Sequence, residues 1–175
     1  MKKWMGLIAF CAVWSVAAAG LAGDPVAGKD KVKSCIGCHP VSGHHSDPAM
    51  PGVAGQEAEY TVLQLKAYKE KSRKHMIMNS LTGRLSDADM EDIAAFYAGL
   101  EPMTSESDPA LAEAGKAKYT LCQKCHGPSG GGKGVVPRLA GQQPEYTFKE
   151  LQAYKSGKRK NPPMNALAGA LSEAD

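Results

Sequence analysis

Apolar residues return at helical spacing along most of the chain, and no segment alternates as a half-buried strand would. The stretches Tyr60 to Lys69, YTVLQLKAYK, and Tyr146 to Lys155, YTFKELQAYK, each gather their apolar side chains on one helical face. Asp24-Pro25 and Asp108-Pro109 each place a capping residue before a proline suited to the first helical position. The second of these helices should run through ALAEAGKAKYTL into Cys122. Ser86-Asp-Ala-Asp is a capping signature before MEDIAAFYAGL, where Met90, Ile93, Ala94, Tyr97 and Leu100 share a face. The pattern predicts an all-α fold.

The same pattern occurs twice. SCIGCHPVSGHHSDPAMPGVAGQ, from Ser34, returns as LCQKCHGPSGGGKGVVPRLAGQ, from Leu121. Cys35 and Cys122 are 87 residues apart, as are His39 and His126. From PGVAGQEAEY onward the offset is 86, so the loop behind the histidine differs by one residue between copies. LEPMTSESDPA, from Leu100 to Ala110, is polar, carries two prolines and reads as a linker. The expected organisation is a segment 1–22 followed by domains 23–101 and 102–175.

The first segment, MKKWMGLIAFCAVWSVAAAGLAGD, has two lysines, an apolar run and small residues, the three parts of a secretory signal peptide. Its apolar run, Trp4 to Ala19, is 16 residues, short of the roughly 20 that span a membrane. Cleavage after Ala22 is expected, with a cut after Ala19 as the alternative. Phe10 before Cys11 is too bulky for a lipoprotein site. Export leaves a net charge of +1 from the +3 of the full chain, which gives no reason to expect nucleic acid as a partner. With aromatic residues at 6%, two domains of this size would have thin cores that a bound cofactor could staple.

The four remaining cysteines all sit in Cys-x-x-Cys-His units. On one helical turn, positions i and i+3 share a face and i+4 lies beside them. Two thiols so placed can add to the vinyl groups along one edge of a haem, with the next imidazole under the iron. The motif therefore reads as c-type haem attachment. A thioredoxin-like redox pair would need a βαβ setting, disulfides would leave both histidines without a role, and a four-cysteine zinc site would have to join the copies.

The second axial ligand decides what such a haem does: methionine closes it as an electron carrier, and an open position permits catalysis. Repeat 1 offers Met50, His44, His45, His75, Met76 and Met78. Repeat 2 has only Met164 beyond His126, and Met164 matches Met78 at the offset of 86. His75 and Met76 match Asn161 and Pro162, which favours surface or packing roles for them; His44 and His45 read as exposed loop residues. Pro51 and Pro137 are placed to offer backbone carbonyls to the histidines. Ser129 to Gly132 reads either as a backbone run able to pass close to a flat cofactor or as an ordinary loop. Lys69, Lys71, Arg73 and Lys74, mirrored by Lys155, Lys158, Arg159 and Lys160, read either as a solvated face or as a basic rim that balances haem propionates and guides an acidic redox partner.

With these motifs the chain resembles class I c-type cytochromes, and within them the di-haem cytochrome c4 family. The likeness spans residues 23–175 and rests on CIGCH and CQKCH, VAGQEAEY and RLAGQQPEY, and MNSLTGRLSDAD and MNALAGALSEAD. It implies two tandem class I cytochrome c-like domains with two covalently bound haem c groups. Cys35, Cys38, Cys122 and Cys125 would carry the thioethers, and His39 with Met78 and His126 with Met164 would be the axial pairs. It also implies a periplasmic carrier rather than an enzyme, passing single electrons from a quinol-oxidising cytochrome bc complex towards a terminal oxidase, with peripheral membrane association through those partners. The alternative is the di-haem subunit of a dehydrogenase such as a sulfide-oxidising flavocytochrome c. A di-haem peroxidase would need an open haem, against which the two matched methionines speak.

Two departures from the family pattern stand out. Val32 stands where Tyr119 stands in the second copy and where an aromatic is usual, which questions the packing of the first helix. Repeat 2 reaches only LSEAD at Asp175, where repeat 1 continues into Met90–Leu100. The expectation is a fragment of a longer chain, with the apolar face of Leu111, Ala114, Gly115 and Tyr119 uncovered and the second domain looser than the first.

Overall fold

The computed structural model describes residues 23–41 and 47–175; residues 1–22, read as an export signal, and His44 and His45 lie outside the described residues. Among the described residues there are seven α-helices: α1 (Pro25–Lys31), α2 (Ala58–Lys69), α3 (Met76–Thr82), α4 (Asp87–Ala98), α5 (Pro109–His126), α6 (Pro144–Lys155) and α7 (Pro162–Gly169). A short 3₁₀ turn, Val32–Ser34, follows α1. Among the described residues there is no strand, only one bridge between Lys133 and Val136. No described helix is long and apolar enough to cross a membrane.

The helix starts follow the local chemistry. Asp24 accepts from the Val26 amide at 2.8 Å and Asp108 from the Ala110 amide at 2.7 Å, each before a proline that has no amide to satisfy. Ser86 and Asp89 form a reciprocal capping box at the head of α4. One boundary differs from the expected symmetry. The second Cys-x-x-Cys-His lies wholly within α5, whereas α1 stops at Lys31 and the first motif continues as 3₁₀ and turn. Ser34 and Gly37 in the first motif are weaker helix formers than Leu121 and Lys124 in the second.

In the first module α4 closes over α1 and α2, and α2 packs on α3. Val32, Ile93 and Tyr97 form the buried centre, flanked by Leu65, Leu85 and Phe96. Val32 is 2% exposed and packs with Ile93 and Tyr97, so the first helix is closely packed without an aromatic there. Gly28 lets the two helices approach closely, since a Cβ there would come within 2.1 Å of the Asp92 carbonyl oxygen. In the second module α6 packs on α7, and among the described residues no helix covers α5. Leu111 is 73% exposed, and no atom lies within 4 Å of where a Cβ on Gly115 would stand.

The modules meet across an approximate twofold arrangement. The Gln56 amide nitrogen donates to the Arg138 carbonyl while its oxygen accepts from the Arg138 amide; Gln142 does the same with Gly52. The connecting segment reads as polar but is seated in this junction, with Met103 buried. It runs against Gly55 and Gly141, both at positive φ, where a Cβ would collide with Pro102 and with the Met103 carbonyl.

Arg73 and Arg159 depart furthest from their sequence reading. They are not rim residues. Arg73 donates to Tyr146 and Glu150 of the other module and to its own Gln64; Arg159 donates to Tyr60 and Gln64 of the other module and to its own Glu150. Each guanidinium also lies over a tyrosine ring, Tyr68 or Tyr154. The planar five-donor group meets several acceptors at once, as a lysine could not.

Candidate cofactor sites

In both repeats the Cys-x-x-Cys-His unit forms one turn. The His39 amide bonds to the Cys35 carbonyl at 2.8 Å, and α5 carries Cys122, Cys125 and His126 through its last turn. Nδ1 of His39 lies 3.0 Å from the Pro51 carbonyl oxygen, and Nδ1 of His126 lies 2.9 Å from that of Pro137. Both carbonyls stand where the sequence places them. Each holds a ring orientation in which Nε2, not Nδ1, is the nitrogen available to a metal.

Two tyrosines reach the backbone beside these histidines. Tyr97 donates to the His39 carbonyl at 3.0 Å and Tyr119 to the Gly127 carbonyl at 2.7 Å. Burial pushes the Tyr97 phenol well above its ordinary range, so it stays a donor at neutral pH.

The glycine run has a definite local purpose: its backbone turns let the loop fold upon itself. Gly130 and Gly132 take positive φ, and a Cβ on Gly132 would come within 2.5 Å of the Pro137 carbonyl carbon and the Arg138 amide. The Gly132 amide bonds to the His126 carbonyl, and the Gly130 carbonyl accepts from Leu139 and Ala140. The loop packs upon itself and thereby fixes Pro137 against the histidine ring.

Met78 and Met164 occupy the third position of α3 and α7, and both side chains are half-buried. Met76 is 87% exposed; Met50 lies in the loop behind the first motif, half-buried. His75 is a helix cap: its Nδ1 accepts from the Met78 amide, as the Asn161 side chain accepts from that of Met164. The residue after each methionine is a lock that the sequence reading missed. The Asn79 side-chain nitrogen donates to the carbonyls of Tyr68 and Arg73, and Asn165 does likewise to Tyr154 and Arg159. The repeated Met-Asn pair was the available signal.

The donor set fits haem c. Among the described residues the four motif cysteines form no disulfide, and burial pushes Cys35 and Cys122 above the ordinary thiol range. A buried position of this kind tolerates an uncharged thioether. Among the described residues, no three or more His, Cys, Asp or Glu side chains gather as a metal cluster.

Repeated on an all-helical frame, this arrangement defines tandem class I cytochrome c modules. The cytochrome c family matches residues 26–101 and 112–174. The chain belongs to the di-haem cytochrome c4 family. It is 35% identical over 178 residues to cytochrome c4 of Stutzerimonas stutzeri, covering 88% of this chain and 85% of that one. The crystal structure of reduced recombinant cytochrome c4 from Pseudomonas stutzeri superimposes with a TM-score of 0.83 at 35% identity, covering 88% of this chain and 94% of the other. The thiosulfate dehydrogenase electron acceptor of Stutzerimonas stutzeri (strain A1501) is 34% identical over 158 residues, 81% of this chain and 71% of that protein. The family binds haem c, and its members are typically periplasmic electron carriers rather than enzymes.

Proposed function

We propose that each module, 23–101 and 102–175, holds one haem c. Thioethers would form at Cys35 and Cys38 and at Cys122 and Cys125, with His39/Met78 and His126/Met164 as axial pairs. One observation carries this reading: in both repeats the motif histidine has its Nδ1 on a proline carbonyl, and a half-buried methionine stands at the same turn of a capped helix. When bound, the haem iron supplies a one-electron ferrous–ferric couple. The chain's own part is to hold the imidazole planes, keep the methionine turns fixed through Asn79 and Asn165, and shield the site from water. The protein is exported by cleavage within residues 1–22 and takes single electrons from a quinol-oxidising cytochrome bc complex towards a terminal oxidase. A second reading, electron acceptor of a dehydrogenase, is favoured by the likeness to the thiosulfate dehydrogenase electron acceptor.

The test has two arms. The intact mass of denatured, exported protein should show two covalently retained haems, and Cys35→Ala with Cys38→Ala should remove one. Purified protein should then be mixed with a membrane fraction holding the bc complex and, separately, with a thiosulfate-oxidising dehydrogenase. Fast reduction by the quinol-driven membranes alone supports the first reading; fast reduction by the dehydrogenase alone replaces it with the second. One haem or none would overturn the site assignment.

A further inference from the structure

The junction between the modules carries an excess of positive charge that the electron-carrier role does not by itself explain. Arg73 and Arg159 are brought together by sharing one carboxylate, Glu150, at 2.8 Å and 2.5 Å. At the equivalent place in repeat 1 stands neutral Gln64. The segments 69–74 and 155–160 that carry these arginines are therefore drawn to one seam. Together they hold eight Lys and Arg residues against one acidic residue, Glu70. Lys71, Lys74, Lys158 and Lys160 are exposed, and among the described residues none has a carboxylate within ion-pair distance. Lys31, Lys66 and Lys118 are paired, and the exposed lysines without a carboxylate partner among the described residues outside the seam, Lys29, Lys124, Lys133 and Lys149, are scattered along the chain rather than gathered in two matching runs.

A second observation points the same way. Lys71 is the one non-glycine among the described residues with positive φ, at 58°, and its counterpart in repeat 2 is Gly157, at 70°. The turn suits glycine, and repeat 1 bears backbone strain to keep a lysine there. The seam also touches the proposed sites, because the Arg73 and Arg159 carbonyls accept from Asn79 and Asn165, the residues behind Met78 and Met164.

We propose that this seam is a docking surface for an acidic redox protein, which binds across both modules at once. The mature chain carries a net charge of only +1, so attraction for an acidic surface has to be local, and the seam concentrates it. Docking there lays the partner beside both methionine-bearing turns. The proposal rests on the electron-carrier reading. It differs from a rim around each cofactor in requiring lysines from both repeats for one binding event.

The test uses the exported holoprotein and a poly-L-glutamate peptide as probe, with affinity measured by calorimetry at low and at about 0.15 M ionic strength. Lys71→Gln with Lys74→Gln, and separately Lys158→Gln with Lys160→Gln, should each weaken binding about threefold or more. The four together should weaken it tenfold or more and flatten the salt dependence. Removing four charges away from the seam, at Lys29, Lys33, Lys116 and Lys118, should have a much smaller effect. Lys71→Gly should raise the melting temperature while weakening binding, a split that a merely structural lysine would not give. The proposal is overturned by no binding of the wild-type protein, by equal loss from the distant variant, or by dependence on one repeat alone. Binding to phosphatidylglycerol vesicles without binding to the peptide would also overturn it and reassign the seam to a membrane surface. Unchanged haem spectra in all variants keep a failure here distinct from a failure of the site assignment.

Discussion

At the start of α3 and α7, His75 and Asn161 accept from the amides of Met78 and Met164 and so perform one task with two chemistries. His75→Asn should therefore leave stability within about 0.5 kcal/mol, while His75→Ala should cost about 1 kcal/mol, as loss of a helix cap usually does. Neither should alter the iron spectrum; a changed spectrum in His75→Asn would implicate this histidine as a ligand. Asn79→Ala removes two hydrogen bonds to backbone carbonyls and should cost about 1–3 kcal/mol. It should also weaken the iron–sulfur signal of the first module while sparing the second, so that the charge-transfer band is lost on heating in two steps rather than one. At this scale the sequence was informative wherever chemistry repeats by identity. The Cys-x-x-Cys-His units, the proline carbonyls beside their histidines and the register-matched methionines stand at corresponding places in both modules. Asn79 repeats as well, as Asn165, so the Met-Asn pair was visible; its role was not, because it satisfies carbonyls of a turn whose course depends on the tertiary fold.

Helix by helix, the caps and the amphipathic face of α4 were legible from short-range physics, and α4 packs through the residues expected of it, Met90, Ile93, Ala94 and Tyr97. The early end of α1 was not, since it reflects a balance of weak propensities. Two glycines at matching places separate the modules' first helices. Gly28→Ala drives a Cβ to within 2.1 Å of a backbone oxygen on α4 and should destabilise the first module by several kcal/mol. Gly115→Ala meets nothing in this 175-residue chain and should stabilise by up to about 1 kcal/mol through helix propensity. Chemical denaturation of the two variants measures both, and an equal loss would contradict the uncovered face of α5. The α1–α4 contact is also pH-sensitive. Hydrogen bonding from Lys31 holds the Asp89 and Asp92 carboxyls below their ordinary range. Folded values below the unfolded ones mean stability that is present above about pH 4 and lost as pH falls beneath it. Lys31→Met should flatten that acid limb for the first module.

Across the whole molecule, duplication and the two-module plan were visible in the register of the repeat, but the union of the modules was not. The repeated Ala-Gly-Gln marks the duplication in the sequence without showing what it does. Its glutamines and glycines form the junction and seat the linker. The arginines of the basic runs were hidden among lysines of the same charge, and only burial separates the two. Glu150→Gln leaves two guanidiniums buried without a carboxylate and should weaken docking by about 3 kcal/mol, the lower end of losses from broken buried pairs. Small-angle scattering should then show a larger radius of gyration, while Gln64→Glu should give a more compact, more stable protein. Tyr154, beneath Arg159, is pushed up to about 12 by burial. Its folded value lies above the unfolded one, so the stability it contributes is complete below about pH 10 and fades as pH rises further.

All of this stands on one His/Met haem in each repeat, and the red-region sulfur-to-iron charge-transfer band of the ferric protein tests that most directly. The account predicts that Met78→Ala and Met164→Ala each remove about half of the band, that the double variant abolishes it, and that Met76→Ala leaves it whole. A band that survives Met78→Ala and falls by half in Met76→Ala would contradict the assignment.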